Sequence, residues 1–399
     1  MKIIDLKVAT IGRAPVVRIV SDAGISGYAQ VEWAKYFLKP HILMLRDGLI
    51  GQDPTDVERI MQRIRQRGAF KPWGAAVSVI EMALWDLAGK AAGVPVYKLL
   101  GGKVRDRVRT YNGSRRRPLV DYTPDEYAAD CQWMMDLPEG FTIIKQPISF
   151  HSQMKRVIPD FYLGEPRDMQ PFHGTLESGL LTPKGMNHVL DCVAAMKAVV
   201  GDKVALALDC GPGWMLSDAI RFAKAVEPFN LLWLEDMLTG DYSPFVNADI
   251  YRELTLATTT PIHTGEQIYL RQNFKDLLER KAVRVIGPDP ADCGGIAELK
   301  WIAEYADLHG VLMAPHGVGN GLLGLAALVQ VSATLPSNFV AFEYPSGDPD
   351  WWYDIVEGLP DPIVENGSIA VWDRPGMGVD LIPEKAKKYL APDEADFFD

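Results

Sequence analysis

Residues 204–236 read VALALDCGPGWMLSDAIRFAKAVEPFNLLWLED. Two runs inside it, Val204-Ala-Leu-Ala-Leu and Asn230-Leu-Leu-Trp-Leu, are almost continuously apolar, and carboxylates follow them at Asp209 and Glu235. A strand covered on one face alternates apolar and polar residues, whereas an unbroken apolar run suits a parallel strand buried on both faces. The residues between the runs have helical rather than strand patterning. One strand, one helix and a second strand in that order make a βαβ unit.

The same rhythm extends in both directions. Apolar runs closing on polar residues occur at Arg109–Asn112, Phe141–Lys145, Val204–Asp209, Leu231–Glu235, Pro261–Glu266, Val283–Asp289, Val311–His316 and Phe339–Glu343, each followed by a helical stretch such as Pro183–Val200. Eight such units over about 250 residues match a (β/α)8 barrel. Upstream, Lys2–Ala9, Val16–Ser21 and Ser26–Glu32 read as antiparallel strands, and residues 54–66 and 75–93 as helices. The expected fold class is therefore α/β, a (β/α)8-type barrel with an α+β capping domain. One connection breaks the rhythm: Ile148–Thr182, which contains His151, Tyr162 and His173, is long enough to be an active-site lid or a surface excursion.

Composition narrows the partners. The 399 residues carry a net charge of −11, which disfavours a nucleic-acid backbone or an anionic membrane as partner. The four cysteines (Cys131, Cys192, Cys210 and Cys293) have no CxxC or zinc-like spacing and suit a reducing cytosol. Neither a signal peptide nor a membrane span is legible: the longest apolar stretch, Gly321 to Leu335, falls short of the ~20 residues a bilayer takes. A soluble, cytoplasmic protein acting on a small molecule is expected.

Barrel enzymes place their chemistry at the C-terminal ends of the strands. The terminal polar residues of the runs include Lys145, Asp209, Glu235, Glu266, Asp289, His316 and Glu343. Three carboxylates from three successive strands, Asp209, Glu235 and Glu266, would converge, and such a set stays ionised only around a cation. Oxygen-only ligands point to Mg²⁺. Asp289 and His316 sit on neighbouring strands, where the acid would fix the tautomer of the imidazole and raise its basicity; a buried His satisfied by an acid has the same spacing. His316 lies in Ala314-Pro-His-Gly-Val-Gly319, whose small residues would let a ligand approach. Lys145 would neutralise a substrate carboxylate or act as a base, or it would snorkel at the rim. A metal, a basic His and a Lys together suit removal of the proton α to a carboxylate, because the resulting enediolate needs its charge held.

At this point the chain resembles the enolase superfamily, in its mandelate racemase-like branch, and specifically that branch's acid-sugar dehydratases. The likeness runs through Trp85-Asp-Leu-Ala-Gly-Lys90 and Leu99-Leu-Gly-Gly102, then Trp233-Leu-Glu-Asp236, Thr264-Gly-Glu266 and Gly294-Gly295. It ends in Gly367-Ser-Ile-Ala-Val371 and Pro375-Gly-Met-Gly-Val379. Spacings of 26, 31, 23 and 27 residues separate Asp209, Glu235, Glu266, Asp289 and His316. The resemblance implies a capping domain over 1–113, a barrel over 114–370 and a C-terminal segment, 371–399, that returns to the cap. It implies Mg²⁺ on Asp209, Glu235 and Glu266, His316 with Asp289 as the acid/base, and Lys145 as an electrostatic helper. Glu343 falls where the family has an acid near the substrate carboxylate, and Tyr162, His151 and His173 are the lid's candidate substrate contacts. A homo-oligomer, dimer or octamer, is also implied.

Two departures narrow the branch. Racemases carry Lys-x-Lys on the second barrel strand, and here the second position is Pro147, which moves no proton. Galactonate and mannonate dehydratases carry a His two residues after the first metal ligand, and here that residue is Gly211. A short first cap loop, Thr10-Ile-Gly-Arg-Ala-Pro15, with a polar lid implies a pocket for an extended, hydroxylated acid. The expectation is a Mg²⁺-dependent carbon–oxygen lyase that dehydrates a sugar acid (an aldonate) to a 2-keto-3-deoxy acid. Rival readings are an epimerase, racemase or cycloisomerase of the same superfamily, a glycoside hydrolase, and a non-catalytic binding protein.

Overall fold

The structure, a computed structural model, describes the chain except residues 66–70, 165–177, 239–245, 318, 320 and 346–348, together with the side chains of residues 71–73. The N-terminal strands β1 (Ile3–Ile11), β2 (Ala14–Ser21) and β3 (Ser26–Gln30) form an antiparallel sheet in that order. The turn between β1 and β2 is only Gly12-Arg13, shorter than the Thr10–Pro15 loop that the sequence suggests, because the two strands pair through to Ile11 and Ala14. Helix Lys71–Ala92 packs against this sheet; between Ala75 and Ala88 nearly every residue is buried, so it is a core helix rather than a surface one.

The barrel follows. Strands β4 (Arg107–Tyr111) and β5 (Ile143–Pro147) lead to a small hairpin of β6 (Tyr162–Leu163) and β7 (Leu180–Leu181), which joins the two ends of the long connection. Then come β8 (Ala205–Asp209), β9 (Leu234–Glu235), β10 (Ile262–Thr264), β11 (Val285–Ile286), β12 (Leu312–Met313) and β13 (Phe342–Glu343). A parallel sheet runs β5-β8-β9-β10-β11-β12. β13 pairs with β4, and single bridges, Asn112 to Ile144 and Met313 to Phe339, join these two to the ends of the sheet. The ring therefore closes on eight parallel strands, each followed by a helix. From β9 to β13 the hydrogen-bonded part is shorter than the apolar run that announces it, because burial extends beyond the ladder at one or both ends of the run. Strands β14 (Val356–Glu357), β15 (Ser368–Ala370) and β16 (Asp380–Leu381) complete the chain; β15 pairs antiparallel with the first half of β4.

Local sequence explains the surrounding helices. Helix Pro124–Met135 starts with a capping box, in which Thr123 and Glu126 each satisfy the other's backbone N–H. Helix Pro183–Val200 starts at Thr182, whose hydroxyl accepts from the Gly185 N–H, and stops at Gly201. The barrel interior holds its own apolar cluster of Tyr111, Ile143, Ala207, Trp233, Val285, Ala314 and Ala341, so it is packed solid below the mouth. The C-terminal segment straps back across the first sheet: Glu394 accepts from Thr10 N–H at 2.7 Å, and Arg18 donates to the Phe397 carbonyl at 2.7 Å. Among the described residues no helix is long and apolar enough to cross a membrane.

Candidate active site

The parallel register places the site. Asp209 is level with Glu235, and Glu235 is level with His263 on the next strand. Lys145 does not end its strand, as the sequence suggests: pairing continues two residues further, to Pro147 opposite Asp209. Lys145 therefore points into the barrel from within β5, and its side chain is only 4 % exposed.

Its ammonium is the centre of the charge cluster. Lys145 Nζ lies 2.5 Å from Glu235 Oε1, 3.4 Å from Glu343 and 3.5 Å from Asp209 Oδ2. Burial opposes the charge on Lys145, but these carboxylates outweigh burial and hold it protonated well above the ordinary lysine range. Glu235 is fixed from below as well: Trp233 Nε1 donates to its Oε2 at 2.8 Å, and His263, stacked on Trp233, lies 3.5 Å from the same oxygen. Burial raises Glu235, yet Lys145 and His263 lower it further, and it stays ionised. Burial drives Asp209 and Glu343 the other way, above the usual carboxylate range, although Lys145 opposes this in both.

Asp289 and His316 form the expected dyad. Asp289 Oδ2 is 2.7 Å from His316 Nδ1, and His316 Nε2 is 3.4 Å from Glu266 and 3.6 Å from Glu343. Burial lowers the imidazole pKa, but Glu266, the Asp289 hydrogen bond and Glu343 together raise it well above the usual value. Lys145, Asp209, Glu266, His316, Glu343 and His151 all line one cavity of about 660 Å³.

The metal-ligand expectation is brought together only in part. The carboxylates of Glu235, Asp236 and Glu266 offer oxygens within 4.8 Å of one another, and Asp209 is outside that set. Asp236 takes a left-handed backbone turn and accepts from Thr264 Oγ1 at 2.7 Å, which ties it to the outward side chain of β10. Asp209 instead meets Lys145 and lies 3.3 Å from His151 Nδ1, whose hydrogen bond goes to the Gly211 carbonyl at 2.9 Å. Asp209 Oδ1 is therefore buried with no hydrogen bond among the described residues. A buried carboxylate oxygen left unbonded, beside other carboxylates converging on one positive charge, is a donor set of hard oxygens that fits a divalent cation such as Mg²⁺.

Other expectations move. Tyr162 packs edge-to-face on Phe150 at 5.8 Å, in an aromatic group with Phe161 and Trp214, and does not line the cavity. An amphipathic ring has more to gain from that apolar cluster than from a water-filled mouth. His173 lies outside the described residues, as does part of the lid expectation. The glycines after His316 serve packing rather than ligand approach: a Cβ at Gly317 would meet Leu328 and the Glu343 carbonyl, and one at Gly319 would overlap Glu32. Arg13, in the first cap loop that the sequence already places at the pocket, lines the cavity; Glu32 and Trp33 after β3, Arg116, and Trp351 beyond β13 line it without any sign in the local sequence pattern. Trp351 stacks on Tyr389 of the C-terminal segment at 3.7 Å, so both ends of the chain build this wall.

Comparison with known proteins agrees with the geometry. Residues 3–101 match the family model for the mandelate racemase/muconate lactonizing enzyme N-terminal domain, and residues 167–386 match the enolase C-terminal domain-like model. A D-xylonate dehydratase of Haloferax volcanii is 32% identical over 386 residues, covering 96% of this chain and 86% of that protein. A D-galactonate dehydratase of Verminephrobacter eiseniae is 30% identical, covering 92% of this chain and 88% of that protein. The crystal structure of a mandelate racemase/muconate lactonizing enzyme-like protein from Rubrobacter xylanophilus superposes with a TM-score of 0.82 at 31% identity, covering 98% of each chain. With a capping sheet, a closed barrel and an acid-rich mouth carrying Lys145 and the Asp289–His316 dyad, this chain belongs to the enolase superfamily, in its mandelate racemase/muconate lactonizing enzyme branch.

Proposed function

We propose that this protein is a Mg²⁺-dependent sugar-acid dehydratase, a carbon–oxygen lyase that converts an aldonate into a 2-keto-3-deoxy acid and water. The observation that carries the reading is the single cavity in which Lys145, the Asp289–His316 pair and the carboxylates Asp209, Glu266 and Glu343 meet. The names of the relatives, dehydratases of pentonic and hexonic acids, support the substrate class.

Asp209, Glu235 and Glu266 would hold Mg²⁺, with Asp236 bracing the set from the outward side of β10 through Thr264. Bound there, the ion would supply positive charge to the substrate carboxylate as negative charge builds on it. Lys145 is already protonated and buried beside that position, so it adds a second positive charge with no reorganisation. His316, anchored through Nδ1 on Asp289, presents Nε2 to the substrate; in its neutral form, which a cation on Glu266 would favour by offsetting the charge that raises the imidazole pKa, it takes the α-proton. The C2–H electrons form the C2–C3 double bond, the C3–O bond breaks, and the proton from His316 leaves with the hydroxyl as water. The enol then tautomerises to the ketone, losing the C2 hydroxyl proton and gaining one from solvent at C3. His151 is the other imidazole of the cavity among the described residues; anchored through Nδ1 on Gly211, it is the alternative donor to the departing hydroxyl. Pro147, opposite Asp209, provides no second base on β5, which disfavours two-base racemisation.

We divide the chain into the cap, 1–113, the barrel, 114–370, and the returning segment, 371–399; the contacts of Glu394 and Phe397 with the first strands support the last. Four buried free thiols support a reducing, cytoplasmic setting. A homo-oligomer is retained from the family resemblance. The test is a panel of aldonates and aldarates incubated with enzyme and Mg²⁺ and assayed for keto acid. Keto acid from at least one aldonate, lost with EDTA, is expected; no keto acid from any member contradicts the reading.

A further inference from the structure

The segment that follows β3 reaches from the cap to the dyad. Lys35 Nζ lies 2.6 Å from both oxygens of Asp292 and 2.9 Å from Glu32 Oε2. The three side chains are 16 %, 7 % and 6 % exposed, so this is a nearly buried triad of one cation and two anions.

Both anions touch loops that carry the dyad. Asp292 belongs to the turn that begins at Asp289: Asp292 N–H and Cys293 N–H donate to the Asp289 carbonyl at 3.0 and 2.7 Å, and Ala291 N–H donates to Asp289 Oδ1 at 2.7 Å. The opposite oxygen of Asp289 holds His316. Glu32 lies directly against Gly319, three residues after His316, where any Cβ would overlap its side chain. Glu32 and Trp33 also line the cavity. One short cap segment therefore touches the Asp289 loop, the His316 loop and the substrate space together.

Packing alone does not require this arrangement. A buried ion pair is on average no more stabilising than well-packed apolar residues of the same volume, so a charged triad here is better explained by placement than by adhesion. Lys35 also sits at a break in its helical segment, with φ −101° and ψ 32°.

We propose that Lys35 is a positioning residue that clasps the cap onto the dyad loops, so that the Glu32–Trp33 wall closes the cavity in register with Asp289 and His316. The proposal rests on reading that dyad as the proton-handling unit. Lys35 touches neither the substrate space nor the reacting atoms and acts through Asp292 and Glu32.

The test compares wild type, Lys35→Met and Asp292→Asn in steady-state kinetics and in hydrogen–deuterium exchange of peptides covering 31–38 and 289–293. The clasp predicts that each variant lowers kcat at least tenfold and raises KM. Amide exchange should speed up at least tenfold in both segments, with Mg²⁺ affinity within twofold of wild type. Kinetic constants within twofold of wild type overturn it; so does a lower Tm with unchanged exchange at 289–293, the outcome of a merely structural role. Should Lys35→Met not fold, Asp292→Asn, which leaves Lys35 paired with Glu32, carries the test. If the wild type turns over no sugar acid, the functional reading fails on its own, and the exchange arm still decides the clasp.

Discussion

Lys145 has to satisfy three acids at once, and the way it does so separates the roles of the carboxylates around it. Burying one ammonium among Asp209, Glu235 and Glu343 leaves a net negative site, and an oxygen of Asp209 still lacks a hydrogen bond among the described residues. Leaving a buried group unbonded costs about 1–3 kcal/mol, more when it is charged, unless something binds it. Asp209→Asn and Glu235→Gln are each expected to weaken Mg²⁺ binding in calorimetry more than Asp236→Asn, whose loss as a bracing group costs about tenfold. The reverse order would make Asp236 a ligand and Asp209 a bystander. His316→Asn is expected to lower kcat by about 10²–10⁴-fold while Mg²⁺ affinity is kept; undiminished turnover would remove His316 from the chemistry. The strand-end residues were legible because one period fixes which side chain faces the mouth. Asp236 was not, because its role depends on a left-handed turn and on a partner, Thr264, that only the folded ring brings near. Glu32 and Trp351 were equally hidden, since long-range packing rather than local pattern puts them on the cavity.

At the scale of elements, the runs of apolar residues located all eight barrel strands but overstated the paired length of those from β9 to β13. The periodicity reports burial, and burial continues past the last ladder bond into the loops. Lys145 shows the opposite error: its strand continues to Pro147 because the Ile148 N–H still reaches the Asp209 carbonyl at 2.8 Å. Contacts between elements were beyond sequence reading. Glu81, inside helix Lys71–Ala92, accepts from Ile296 and Ala297 N–H at 2.8 and 2.9 Å and so caps helix Ile296–Leu308 from the other domain. Burial pushes the Glu81 carboxyl up to about 8, against the hydrogen bonds from Ala297, Ile296 and Trp85. An unfolded glutamate titrates near about 4.3, so the fold retains a proton that the unfolded chain releases. That contribution is complete below the unfolded value and is lost as pH rises to the folded one. Urea unfolding should therefore show Glu81→Gln gaining stability relative to wild type between about pH 5 and 8. Parallel pH profiles for the two proteins would contradict the assignment.

For the whole molecule, the two ends of the chain and the barrel mouth form one construction. The first hairpin, the segment after β3 and Trp351, braced by Tyr389, enclose a cavity whose floor is the packed barrel core. A cation bound at its acid-rich base stabilises the entire fold by mass action, by about 2.7 kcal/mol at a hundredfold excess over Kd. Mg²⁺ should accordingly raise Tm by roughly 2–5 °C, and EDTA should reverse the shift; a Tm indifferent to both would argue against a resident cation. The central claim is loss of water across C2 and C3 of a sugar acid, and the most direct measurement is NMR of the reaction run in D₂O with Mg²⁺. A 2-keto-3-deoxy acid carrying one solvent deuterium at C3 is expected. Deuterium appearing at C2 of an otherwise intact acid, with no keto acid formed, would contradict it and make the protein an epimerase.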